Sequence, residues 1–200
     1  MTTLIAVQQE DFCIIAADSQ ATVNYRKLDT SPVGKIHLNN GYLIAAAGSG
    51  RGANILAFDW VPPVPRGDLD RFITKRVIPS MRKKFIESGH EIKGDGVPSS
   101  FDNELLIAVN GQIYQIFEDY GWERCATGLY ASGSGGEFAL GALHALDVMN
   151  CETADDVIRC VDEAMSVASK LDIFSGGRIQ VAFQLEDGET KIKNYDEADQ

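Results

Sequence analysis

The run TTLIAVQQEDFCIIAAD (residues 2–18) holds two short apolar, β-branched segments, TTLIAV and FCIIAA, separated by the polar Gln8-Gln9-Glu10-Asp11. Such a pattern reads as strand, turn, strand, so the chain begins inside a sheet. A polar loop follows Asp18. Working outward, residues 35–38 and 42–47 form a second strand pair around Asn39-Asn40-Gly41, and residues 104–109 and 112–117 a third around Asn110-Gly111. Asn-Gly between alternating apolar runs is the strongest short-range hairpin signal. Residues 178–185 and 190–194 supply the closing strands.

Helices separate these pairs. Residues 53–60 suit a helix that Pro62, Pro63 and Pro65 must end, since proline lacks the N–H a helix needs. A longer helix is expected over residues 69–87. There Leu69, Phe72, Ile73, Val77, Ile78, Met81 and Phe85 recur at helical spacing, and Pro79 predicts a kink. Residues 89–101, rich in Gly, Pro and Ser, read as an exposed connection. Residues 135–149 and 153–169 read as consecutive helices, the second opened by Thr153 as N-cap with Asp155 and Asp156 in its first turn. Strand pairs alternating with helix pairs imply an α+β fold with antiparallel sheets packed between helical layers. At 200 residues the chain suits a single domain over residues 1–200.

The composition, 44% hydrophobic and 24% charged, is that of a soluble globular protein. A net charge of −11 argues against nucleic acid, whose phosphates require a basic face. No apolar run approaches the roughly 20 residues that span a bilayer, and no signal-peptide pattern is present, so the expectation is a cytoplasmic protein without membrane contact. The four cysteines, Cys13, Cys125, Cys151 and Cys160, match neither a metal knuckle nor a compact disulfide framework. They are read as buried thiols, and no metal or cofactor is expected.

Three separated features could carry chemistry. The first is Met1-Thr2-Thr3, because removal of Met1 would leave Thr2 with a free α-amine able to serve as base for its own hydroxyl. Asp18 in IIAADSQAT and Lys35 in VGKIH belong with it. A lysine beside the hydroxyl eases its deprotonation, and an aspartate holds that lysine charged and oriented. The second is YASGSGG (residues 130–136), a glycine-flanked serine at a helix start that lacks the Gly-Lys-Ser/Thr ending of a nucleotide loop. The third is DIFSGG (residues 172–177), between a helix and a strand, where Asp172 and Ser175 could lie beside the amine. Taken singly, each is as well read as an ordinary turn or chain start.

Together TTLIAV, IIAADSQAT, Gly34-Lys35, IAAAGSG, YASGSGGEFALGALHA and DIFSGG resemble proteasome β subunits and the peptidase subunit of the HslUV protease, both N-terminal-nucleophile hydrolases. The resemblance implies a four-layer αββα sandwich of two antiparallel sheets flanked by helices. It also implies Thr2 as catalytic threonine, Asp18 and Lys35 as the pair that activates it, Ser134 as the serine near the amine, and Asp172 and Ser175 completing a proteasome-type site. The Met-Thr start is more like the HslUV peptidase. An oxyanion donor is implied among Ala46, Ala47 and Gly48, and substrate-pocket walls at Gln20, Thr22 and Ser49.

In function, the resemblance implies a threonine-type endopeptidase that cuts unfolded polypeptides from within homo-oligomeric stacked rings served by a separate ATP-dependent unfoldase. An amidohydrolase acting on a small amide, or a catalytically silent ring subunit, would be the alternatives.

Overall fold

A computed structural model describes residues 2–24, 26–28, 34–94 and 97–195. The first hairpin forms as its sequence dictates, with β1 (Leu4–Gln8) antiparallel to β2 (Phe12–Asp18) and Leu4 opposite Ala17. Two short strands, β3 (Ala21–Val23) and β4 (Arg26–Leu28), pair where a plain polar loop was expected. Then come β5 (Ile36–Asn39) and β6 (Tyr42–Gly48), joined through Asn40 and Gly41, both at positive φ.

The first helix starts earlier than expected, at Gly50, because Ser49 caps it by accepting from the Gly52 N–H. This α1 (Gly50–Asn54) widens into one π turn, Ile55–Asp59, and stops before Trp60. The next helical run is continuous over the expected residues. It comprises α2 (Leu69–Phe72), a π turn (Ile73–Val77) and α3 (Ile78–Glu87). Pro79 sits just after the wide turn, where a missing N–H and a bulky ring are least disruptive.

The connection over residues 89–101 contains a small hairpin, β7 (Ile92–Gly94) with β8 (Val97–Ser100), rather than only loop. β9 (Asn103–Val109) and β10 (Gln112–Ile116) follow, turned by Asn110 and Gly111 at φ 49° and 71°. Two strands the sequence did not announce come next, β11 (Trp122–Glu123) and β12 (Leu129–Ser132). α4 (Gly136–Ala145) ends four residues short of expectation because Asp147 turns left-handed, leaving Val148–Asn150 as a single 3-10 turn. α5 (Ala154–Leu171) carries the Thr153 cap, and β13 (Ile179–Leu185) and β14 (Thr190–Tyr195) close the chain.

The strands build two five-stranded antiparallel sheets, ordered β12-β1-β2-β13-β14 and β11-β10-β9-β6-β5. Alternation along each strand then decides which core a residue enters. Leu4, Ala6, Ile15 and Ala17 face Leu43, Ala45, Leu106 and Ala108 between the sheets. Ile5, Val7, Ile14 and Ala16 point the other way, against Leu143, Val157, Val161 and Met165 of α4 and α5. On the far side of the second sheet, Ile44, Leu105, Ile107 and Tyr114 meet Ile73, Val77, Met81 and Phe85. Both faces of β1 and β2 are thus buried, which is why their sequences are apolar throughout. Among the described residues no helix is long and apolar enough to cross a membrane.

The cysteines correct one expectation. Only Cys13 is buried; Cys125 is exposed, and Cys151 and Cys160 are half-buried at the rim of the helical layer.

Candidate active site

Thr2 lies two residues ahead of β1, the strand held between β12 and β2. The β1–β2 register brings Asp18, the last residue of β2, beside Thr3, whose N–H donates to Asp18 Oδ1 at 2.8 Å. Lys35, just ahead of β5, reaches the same oxygen with Nζ at 2.7 Å and also lies 2.8 Å from Thr2 Oγ1. Asp18 is only 1% exposed, and a carboxylate so deeply placed needs several donors. Backbone N–H groups of Gln20 (3.2 Å) and Gly176 (3.0 Å) complete its set through Oδ2. Burial lowers the Lys35 pKa, while the Asp18 charge opposes that fall. The ammonium is therefore poised to give up a proton more readily than a surface lysine would.

A second cluster lies alongside. Ser134 and Ser175 both donate to Asp172 Oδ2, at 2.7 and 2.6 Å, and the Phe174 N–H donates to Oδ1 at 3.2 Å. Burial works against ionisation of Asp172, yet the two hydroxyls and the backbone N–H prevail and hold its pKa below the ordinary value. Thr3 joins the halves: its N–H binds Asp18, and its hydroxyl donates to Ser175 Oγ at 2.6 Å. The structure thus brings Thr2, Asp18, Lys35, Ser134, Asp172 and Ser175 into one hydrogen-bonded neighbourhood. Ser134 spends its donor on Asp172 and lines a cleft that Thr2 also lines.

Two glycines make this closeness possible. A Cβ on Gly133, which has φ 82°, would sit 2.1 Å from the Thr2 carbonyl oxygen, and one on Gly135 would sit 1.9 Å from Thr3 Oγ1. No other residue lets the turn after β12 lie so close against the chain start.

Two cavities meet at Thr2. The smaller, about 380 Å³, contains Gln20, Thr22 and Ser49 in its wall, together with Lys35 and an apolar floor that includes Ile44 and Leu56. His37 also lines it, and burial keeps that imidazole's pKa below the ordinary value. The larger, about 660 Å³, passes Ala47, Ser132 and Ser134 and carries the carboxylates of Asp102, Glu104, Glu118 and Glu137.

Of the three residues considered for an oxyanion donor, Ala46 lines the smaller cavity and Ala47 the larger, whereas Gly48 lines both. Gly48 adopts φ 120°, and a Cβ there would fall 2.4 Å from the Asp102 carbonyl oxygen. Asn103 fixes this strand end by donating from Nδ2 to the Ala47 and Ser49 carbonyls at 3.2 and 3.0 Å.

Sequence reasoning passed over Thr3, Asn103, Gly133 and His37. Thr3 had a visible signal in the paired threonines, but nothing local marks Asn103 or His37. Among the described residues no group of three or more His, Cys, Asp or Glu side chains could hold a metal ion.

The arrangement can be set beside known proteins. No protein-family model matches the chain. By sequence it is 25% identical over 181 residues to the ATP-dependent protease subunit HslV of Borrelia duttonii, covering 89% of this chain and 94% of that one. HslV of Borrelia recurrentis matches to the same extent. In fold it resembles Thiobacillus denitrificans BPH in complex with epoxomicin, with a TM-score of 0.74 and 23% identity over 92% of this chain and 98% of the other. Eukaryotic HslV from Trypanosoma brucei superposes with a TM-score of 0.58 and 20% identity over 97% and 99% of the two chains. The fold is shared with BPH and with HslV. Both sequence and fold are thus similar to those of HslV proteins.

Proposed function

We propose that this chain is the peptidase subunit of a self-compartmentalising, proteasome-like protease and acts as a threonine-type endopeptidase through Thr2. The observation that carries the reading is the 2.8 Å contact between Lys35 Nζ and Thr2 Oγ1, backed by the buried Asp18. Its three apolar cores, separating helices, sheet, sheet and helices, match the four-layer αββα sandwich of N-terminal-nucleophile hydrolases in one peptidase domain.

In this mechanism removal of Met1, which lies outside the described residues, frees the Thr2 α-amine. That amine accepts the hydroxyl proton, directly or through water, as Oγ1 attacks the scissile carbonyl carbon. Lys35 stabilises the developing alkoxide, and Asp18 keeps the ammonium in place. The tetrahedral oxyanion takes a backbone N–H from residues 46–48, with Gly48 favoured because it faces both cavities. The C–N bond then breaks, the leaving amine carries off the proton, and water hydrolyses the Thr2 ester. Ser134, Asp172 and Ser175 orient the chain start and the amine.

The apolar floor of the smaller cavity suits an uncharged side chain of the substrate, with Gln20, Thr22 and Ser49 at its wall. Two open cavities flanking the nucleophile favour an extended polypeptide over a compact amide. The HslV relatives are named as subunits of ATP-dependent proteases, which supports stacked rings of this chain fed with unfolded polypeptide by a separate unfoldase in the cytoplasm.

A Thr2→Ala protein should fold normally and lose peptide hydrolysis by about 10⁴-fold or more, and a peptide epoxyketone should add one mass equivalent to the wild type and none to the variant. Equal hydrolysis by both proteins would remove Thr2 from the mechanism.

A further inference from the structure

Two cysteines that the proposed chemistry does not use face each other at the corner between α4 and α5. Cys151 follows the 3-10 turn Val148–Asn150, and Cys160 lies on the second turn of α5. Their Sγ atoms are 3.7 Å apart, which is van der Waals contact between sulfurs. Both are half-buried, and both line a shallow cavity of about 430 Å³ with Leu146, Glu152, Asp156 and Arg159, separate from the two at Thr2. The pair is thus open to a small reagent. A metal does not explain it, because among the described residues no third ligand completes a site. The remaining cysteines are placed differently: Cys13 is sealed between the sheets with its thiol pushed up to about 12, and Cys125 Sγ contacts the Thr127 hydroxyl at 3.1 Å.

We propose that Cys151 and Cys160 form a redox-responsive dithiol that a peroxide or a small-molecule disulfide closes into an intrachain disulfide, stapling the turn before α5 to the helix itself. Closing the bond requires the sulfurs to approach from 3.7 Å to about 2.05 Å, beside a helix start fixed by the Thr153 cap.

Either sulfur can open the reaction with the same product; burial and the neighbouring thiol raise the Cys160 pKa to about 11. On the route opened by Cys151, its thiolate attacks one oxygen of hydrogen peroxide and the O–O bond breaks, leaving a sulfenic acid on Cys151 and, after protonation, one water. Cys160 sulfur then attacks the sulfenyl sulfur, the S–O bond breaks, and the departing hydroxide takes the Cys160 proton as a second water. Two thiols are oxidised and one peroxide is reduced. With oxidised glutathione the same two attacks release two molecules of glutathione. Because α5 packs Val157, Val161 and Met165 into the core below the first sheet, the staple should hold the N-terminal half of this helix against local opening.

The test takes the assembled wild-type protein, fully reduced, and exposes it separately to hydrogen peroxide and to oxidised glutathione. Expected are loss of two of the four thiols, a mass lower by two hydrogens, a non-reduced peptide map linking residues 151 and 160, and a thermal midpoint several degrees higher that dithiothreitol reverses. Cys151→Ser and Cys160→Ser should each abolish the link and leave a glutathione adduct on the surviving partner. The proposal is overturned if wild type keeps all four thiols, carries stable adducts or added oxygens at residues 151 and 160, or forms its disulfides between chains or through Cys125. Should either variant fail to fold, the wild-type peptide map decides alone.

Discussion

The two halves of the polar network around Thr2 are made of different materials. On one side a buried carboxylate and a partly buried ammonium form an ion pair, Asp18 with Lys35, and the ammonium touches the Thr2 hydroxyl. On the other, neutral hydroxyls of Ser134 and Ser175 converge on the single carboxylate of Asp172, and the Thr3 hydroxyl joins them by donating to Ser175. Charge acts strongly over a few ångströms in a desolvated place, whereas a hydroxyl network acts through geometry. The ion-pair half is therefore suited to changing the reactivity of Thr2, and the hydroxyl half to holding it still.

That division can be broken most sharply at Lys35. Lys35→Met should lower peptide hydrolysis by about 10³-fold, with substrate binding little changed, because an alkoxide loses its stabilising charge. It should also cost about 1–3 kcal/mol in urea unfolding, since Asp18 would keep only its backbone donors. A Lys35→Met protein with near-normal turnover would assign the chemistry to the hydroxyl half.

On that second half, Ser134→Ala and Ser175→Ala should each slow hydrolysis by about 10-fold, the scale of one hydrogen bond to a charged acceptor. Because both donate to Asp172 Oδ2, the double variant should fall short of the product of the singles; strict additivity would show that they act separately.

The smallest effect is in pH dependence, where both halves gain stability as pH rises but over different ranges. Asp172 has a folded pKa below its ordinary value, so its contribution to stability is complete above the ordinary carboxylate range and is lost as pH falls through the lower folded value. Unfolding midpoints of wild type and Asp172→Asn should differ at neutral pH and converge in acid. Lys35 has a lowered folded pKa, so between that value and the ordinary lysine value the unfolded chain binds the extra proton. Stability from this group should therefore rise with pH in the alkaline range, and Lys35→Met should remove that rise.

Much of this architecture could be read from local signals. The first hairpin, the Asn110-Gly111 turn and the Thr153 cap appear where neighbouring residues specify them. Misjudged stretches are those where distant contacts prevail. Residues 129–132 become a strand because β1 offers a free edge, with Leu4 opposite Ser132, and α1 starts at an unpromising Gly50 because Ser49 caps it, with Gly52 lying close against Asn103. The cysteines were misjudged for a related reason: residue 160 sits between Ile158 and Val161 along the chain, but the packing of α5 leaves it, like residue 151, at its rim. The site residues were singled out through their motifs and the resemblance those motifs carry, since spacing alone does not join residue 2 to residue 175.

By itself, then, the sequence determined the alternation of strand pairs and helix pairs, the apolar faces and the residue types available for chemistry, because these depend on interactions between near neighbours. Only the tertiary structure decided which of those residues meet. The pairing of β12 with β1 draws Ser134 toward Thr2, and the pairing of β13 with β2 sets Ile179 against Asp18 and so delivers the 172–176 turn. Such meetings rest on sheet register, which is set by how whole faces pack between the layers and is not written in any one segment.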